Sequence, residues 1–188
     1  MTKNIAILIG SLRKESFSRK LANAIHSLTP ESLKLEIIEI GGLSIYNQDH
    51  DDEGNPPSAW TSFREKMKSF DGVLFITPEY NRSIPAVLKN ALDVGSRPYG
   101  QSIWGGKPGA IISISQGVLG GFGANHHLRQ CFVFLNILVM QQPEAYIGGI
   151  AQLFDSDGNI VNETSREFII MFMNAFADWV ERHPTKSI

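Results

Sequence analysis

Apolar runs of strand length alternate along this chain with apolar stripes at helical spacing. Residues Asn4 to Gly10 (NIAILIG) form an apolar, β-branched run ending at glycine, which suits a strand buried on both faces. From Phe17 the apolar positions Phe17, Leu21, Ile25 and Leu28 recur at helical spacing until Thr29-Pro30 ends the pattern. Leu33 to Ile40 (LKLEIIEI) alternates only in part and reads as a second strand nearer an edge. A helix with Trp60, Phe63, Met67 and Phe70 on one face leads into a buried strand, Val73 to Thr77. A Pro-flanked loop, a helix from Ala86 to about Ser96 and a further apolar strand from Ala110 to Ser115 follow, then a Gly-rich turn, Ser115 to Gly123. Leu128 to Met140 is apolar nearly all round, and the last helix carries Phe168 to Met173 as an unbroken apolar run.

Strands and helices alternating at this pace imply right-handed βαβ units, hence a parallel sheet with helices on both faces. The expected architecture is a three-layer α/β sandwich of about five strands. With 188 residues, 43% of them hydrophobic, and no repeat or linker, residues 1–188 read as one domain. Helices greasy on every side are fully buried or covered by a second chain, so an oligomer is expected, sharing Leu128–Met140 or Ile169–Met173 between copies. Arg129 and Glu144 beside these runs are candidates for pairing between chains, or simply solvated charges.

Charge narrows the partners. Lys and Arg number 17 against 19 Asp and Glu, and a net charge of -2 provides no global field to draw in nucleic acid or an anionic membrane. A single cysteine, Cys131, forms no internal disulfide, and no run of about 18 apolar residues marks a membrane span; a cytoplasmic setting is expected. His26, His50, His126, His127 and His183 show no helical i,i+4 pairing and no CxxC companion, so no metal is expected; the neighbours His126 and His127 would point about 100° apart on a helix and should cap or pack. The acidic cluster Asp49, Asp51, Asp52 and Glu53 lacks the spacing of a calcium loop and reads as a solvated turn.

In an open parallel sheet, ligands sit beyond the carboxyl ends of the strands. Three loops leave such ends. In Gly10–Arg19, a glycine permits a sharp turn, Ser11, Ser16 and Ser18 offer hydroxyls, Arg13 offers a forked cation, and the next helix presents free N–H groups. That chemistry suits a phosphate, although a Ser-rich helix cap would look similar. Neither GxxxxGK[ST] nor GxGxxG is present, so the phosphate should be a terminal monoester. The second loop, Pro78–Pro85, has two stiffening prolines, the flat face of Tyr80 and the hydrogen-bonding edges of Asn81; it fits a planar ring or a plain structural turn. In the third, Ser115–Gly121, glycines let backbone approach a ligand, or merely turn the chain into a helix.

Four segments then resemble one known family. GSLRKESFSRKLA (Gly10–Ala22), TPEYNRSIPAVLKNALD (Thr77–Asp93), GKPGAIISIS (Gly106–Ser115) and GVLGG (Gly117–Gly121) resemble the NADPH-dependent FMN reductases, in particular the bacterial quinone and chromate reductases. The likeness runs in order from the first strand through Leu128–Gln130 to about Gly149. It implies a flavodoxin-like fold with strand order 2-1-3-4-5, non-covalent FMN, and a homodimer or a homotetramer. It places the phosphate on Ser11, Arg13, Ser16 and Ser18, and the flavin ring on Pro78, Glu79, Tyr80 and Asn81, with Ser115 and Gly117 nearby. Ser18 stands where the family often has Asn, and Ala86 where it often has Gly.

The expected activity is an FMN-dependent passage of two electrons from NADPH or NADH to quinones or other small acceptors, with flavin, azo compounds or chromate as further acceptors, in a ping-pong cycle. No side-chain acid or base is expected. Arg82 is a candidate contact for a phosphate of the nicotinamide nucleotide, against the plainer reading of a solvated loop arginine. The alternatives are a flavodoxin-type electron carrier and a regulatory protein holding FMN without turnover. The modest net charge and the basic first loop speak against the carrier, which would be strongly acidic.

Overall fold

The computed structural model describes residues 1–185. In chain order the elements are β1 (Lys3–Ile9), α1 (Phe17–Ile25), β2 (Leu33–Ile38), α2 (Gln48–Asp52), α3 (Ser58–Lys68), β3 (Gly72–Pro78), α4 (Ala86–Gly95) and β4 (Pro108–Ile114). Then come α5 (Phe122–Leu135), β5 (Leu138–Val139), β6 (Ala145–Ile147) and α6 (Glu163–Arg182). All strand pairs are parallel, in the order β2-β1-β3-β4-β5, with β6 also on β4. This is the flavodoxin-like order.

The two-residue period of an extended strand explains how one apolar run serves two layers. In β1, Ile5, Ile7 and Ile9 pack with Leu21 and Ile25 of α1 and with Phe172, Met173 and Phe176 of α6. Ala6 and Leu8 face the other way, toward Trp60 and Met67 of α3, Leu88 and Leu92 of α4, and Leu128 and Phe132 of α5. The central strands β1, β3 and β4 are covered on both sides, which is why their sequences are apolar without alternation. Among the described residues no helix is long and apolar enough to cross a membrane.

Several expectations from sequence need correction. The fifth strand position is filled by two short pieces: β5 pairs with Pro108–Gly109 and β6 with Ile112–Ile114. Pro143, between them, has no N–H to give to a ladder. Leu128–Met140 is not one helix: α5 ends at Leu135, Asn136 takes a left-handed turn at φ 55°, and β5 follows. Most of the apolar run in α6 is covered by its own sheet, with Ile169, Phe172 and Met173 all buried. Arg129 and Glu144 face each other within one chain at 3.8 Å, and Arg129 also donates to Asn125 Oδ1 at 3.0 Å, so neither is simply solvated.

The Gly41–Asn55 loop contains the short helix α2, and its acidic cluster is not uniformly solvated. Asp51 turns inward to the buried Arg64, because a guanidinium inside a helix layer needs a carboxylate partner to offset its lost hydration.

Candidate functional site

The carboxyl ends of β1, β3 and β4 are neighbours in the sheet, so the three loops meet on one rim. Gly10 is required there: a Cβ at this position would fall 2.6 Å from Thr77 Oγ1 and 3.2 Å from Pro78 Cδ. The first two loops therefore leave the sheet in close contact.

In the first loop Ser16 caps α1, its Oγ accepting from the Arg19 N–H at 3.3 Å. Ser11 is buried beside it. Ser18 is 1% exposed, and its Oγ has no hydrogen-bond partner among the described residues. A buried hydroxyl left unpaired is costly, and this one sits in the first turn of α1, where helix N–H groups are also free of intrahelical partners. Of the neighbouring cations, Arg19 pairs with Glu39 at 2.8 Å and Lys20 with Glu15 at 3.2 Å, while Lys14 has no ion pair among the described residues but does not line the cleft at this rim. Arg13 is exposed and has no ion-pair partner among the described residues. These side chains open onto a cleft of about 160 Å³.

The second loop is a two-residue hairpin. Tyr80 N–H donates to Ser83 O at 3.1 Å and Ser83 N–H to Tyr80 O at 2.9 Å, with Asn81 at φ 50° and Arg82 at φ 65° between them. Pro78, Glu79 and Tyr80 line the cleft, and Asn81 does not. The Glu79 carboxylate accepts from the Ala124 N–H of α5 at 3.1 Å and lies 3.6 Å from Arg82 Nη1. Ser83 Oγ meets His127 Nδ1 at 2.9 Å. Arg82 is thus exposed but ion-paired to Glu79, where the plainer reading from sequence was a solvated loop arginine.

From the third loop Ser115 reaches the cleft, its Oγ donating to Gly117 O at 2.7 Å, while Gly117 itself lies off the wall. This loop is held by the segment after β6: Gly149 N–H donates to Gly117 O and Ile150 N–H to Ser115 O. Ile150 and Ile114 line the cleft without having been singled out as site residues in sequence, and Phe17 and Gln116, which also line it, fall inside the first and third loops. Nothing local in an isolated isoleucine more than thirty residues downstream signals such a contact. His126 stacks on Tyr146 with the rings 8° from parallel and its Nε2 3.0 Å from the phenol oxygen. Burial and the Glu144 carboxylate push the Tyr146 phenol up to about 12.

A larger cavity, about 520 Å³, lies at the opposite rim, between the end of α3, the Gly100–Gly105 segment and the start of β4. Lys107 lines it, 1% exposed, and burial lowers its ammonium to about 8. Its Nζ donates to the Phe70 carbonyl just past α3, closing that helix end. Nothing from the three loops reaches this cavity, so the smaller cleft is the candidate site.

The profile of the NADPH-dependent FMN reductases matches residues 3–152, which holds all three loops. The chain belongs to that family. This FMN reductase is 56% identical over 178 residues to a quinone reductase of Pseudomonas putida, covering 95% of each chain. It is 47% identical over 180 residues to a 2-hydroxy-1,4-benzoquinone reductase of a Burkholderia species, covering 96% of this chain and 97% of that one. Its fold superposes with a TM-score of 0.91 on FerB, a flavoenzyme NAD(P)H:(acceptor) oxidoreductase from Paracoccus denitrificans, at 38% identity and over 98% of this chain and 100% of that one. This FMN reductase is an NAD(P)H-dependent oxidoreductase.

Proposed function

We propose that residues 1–188 act as one FMN-binding domain that passes two electrons from NADPH or NADH to quinones. The observation that carries this reading is the buried, unpartnered Ser18 Oγ at the start of α1, beside the Ser16 cap and the unpaired Arg13. A phosphate dianion meets hydroxyls, free helix N–H groups and one guanidinium there, which is what a terminal monoester needs. Ser11 completes that pocket, and Ser18 serves with a shorter donor than the Asn often found there. FMN, when bound, supplies the two-electron chemistry between donor and acceptor.

The chain's own residues position the flavin and shape its surroundings. Pro78, Glu79, Tyr80 and Ser115 line the cleft and would form walls for the planar ring. Asn81, next to these walls, offers polar edges, and the backbone at Gly117 lies beyond them. The exposed Arg82 is the candidate for a phosphate of the nicotinamide nucleotide, taken by the part of its guanidinium that is open to solvent while Nη1 stays 3.6 Å from Glu79. The quinone reductases of Pseudomonas putida and Burkholderia support a quinone acceptor, and FerB, an NAD(P)H:(acceptor) oxidoreductase, supports NAD(P)H as the electron donor. Chromate and azo compounds would be incidental acceptors, and the setting the reducing cytoplasm.

The oligomer belongs to the same reading. Because α6 is covered by its own sheet, α5 is the better candidate for a shared face: Val133 and Phe134 are 82% and 83% exposed near its end. We assign this face to a homodimer, alone or paired into a tetramer. The test of function is steady-state oxidation of NADPH and NADH by FMN-loaded protein against quinones, ferricyanide, azo dyes and chromate. Parallel double-reciprocal lines with a quinone support the proposal, and absence of turnover with every acceptor ends it.

A further inference from the structure

The Tyr80–Ser83 turn keeps two successive non-glycine residues in left-handed backbone, Asn81 at φ 50° and Arg82 at φ 65°. Asparagine tolerates that region, but a long side chain such as arginine seldom occupies it unless its surroundings impose it. Here the surroundings belong to α5. Ala124 N–H donates to Glu79 Oε2 at 3.1 Å, Glu79 Oε1 lies 3.6 Å from Arg82 Nη1, and Ser83 Oγ meets His127 Nδ1 at 2.9 Å. A Cβ on Gly123 would fall 2.7 Å from the Arg82 carbonyl oxygen and 2.9 Å from Glu79 Oε2, so the turn is seated directly on the helix. The carboxylate is well placed for the free N–H groups of a helix's first turn.

We propose that Glu79 is a positioning residue: its carboxylate, shared between Ala124 N–H and Arg82, latches the Tyr80–Ser83 turn in its left-handed form. Through that latch α5 fixes where Tyr80 and Asn81 meet the flavin ring. The inference rests on the FMN reading of the cleft. Its chemistry predicts a graded series. Glutamine at position 79 keeps an oxygen for Ala124 N–H but loses the charge facing Arg82, and alanine loses both. Glycine at position 82 enters positive φ without a Cβ penalty, so it removes the need for the latch.

The experiment titrates apoprotein with FMN, followed by flavin fluorescence, and measures amide exchange at Ser83 and Ala124. Glu79→Ala should weaken FMN binding by about tenfold, the equivalent of one lost charge-assisted contact, and Glu79→Gln by less. Ser83, whose N–H closes the hairpin, should exchange faster in Glu79→Ala. Adding Arg82→Gly to Glu79→Ala should recover most of the affinity and the Ser83 protection, which a general folding defect would not allow. Should Glu79→Ala fail to fold, Glu79→Gln with and without Arg82→Gly makes the same comparison. Native-like FMN binding in the Glu79 variants, or a loss that Arg82→Gly leaves in place, overturns the latch while the FMN reading stands. Failure of the native protein to bind FMN overturns both.

Discussion

The Asp51 carboxylate grips the Arg64 guanidinium with both oxygens, at 2.8 and 2.7 Å, and only 3% and 8% of the two side chains are exposed. Arg64 gives its remaining Nε–H to the Val94 carbonyl at 2.9 Å, so one cation ties α2 to α3 and α4. Removing one partner of a buried pair leaves the other charged and unpaired. Asp51→Ala should therefore cost about 3 kcal/mol, a fall of roughly 6–12 °C in Tm at pH 7 for a chain of this size. The Arg64 guanidinium holds the Asp51 carboxyl below its usual range against the opposing effect of burial. The unfolded carboxyl takes up its proton first, near pH ~3.9, and the folded one only at lower pH. The stabilisation is thus complete above that value and drains away as pH falls further. Thermal melts across pH 2.5 to 7 should show native protein and Asp51→Ala converging at the acid end; a constant gap would show that the pair does not titrate as described.

Arg13 has the clearest assignment in the first loop. A charge-assisted hydrogen bond contributes roughly 1.5–3 kcal/mol, so Arg13→Ala should weaken FMN binding by about tenfold to a hundredfold. Riboflavin, without the phosphate, should bind the native protein poorly and be almost indifferent to the substitution. Paired fluorescence titrations of apoprotein check this. Equal native affinity for the two flavins would refute the phosphate assignment, and an equal loss for both would place Arg13 in the fold instead.

Arg82 should act on the donor. Arg82→Ala is expected to raise the Michaelis constant for NADPH or NADH by about threefold to tenfold, the range for loss of one partly solvated phosphate contact, with FMN affinity falling no further than in Glu79→Gln, because Glu79 keeps the Ala124 N–H. Steady-state kinetics with each nucleotide read this directly. Unaltered constants for both would remove Arg82 from the donor site.

The exposed end of α5 should be an interface. Light scattering at micromolar concentration is expected to give a dimer or tetramer, and a Val133→Glu/Phe134→Glu double variant should shift it toward monomer, because charges cannot be buried there unpaired. A native monomer rules out a shared face, and an unchanged oligomer in the variant moves it elsewhere.

Sequence determined the parts of this protein whose causes are local. The apolar runs of β1, β3 and β4 have no alternating polar positions because both sheet faces are covered, and that pattern is legible without coordinates. The grouping of the first loop was legible for a similar reason: Ser11, Arg13, Ser16 and Ser18 lie close together in sequence around a helix start, and the structure brings all four onto one cleft. What the tertiary structure decided depended on distant partners. Asp51 reads as one more surface acid until Arg64 is placed beside it, and Glu79, which also lines the cleft, shows its hold on α5 only when Ala124 supplies an N–H forty-five positions away. Ile150 joins the cleft only because β6 carries the following segment back beneath the third loop. Periodicity reports which face of an element is covered, whereas a buried charge, a strained turn and a broken edge strand are settled by which partner the fold brings within a few ångströms.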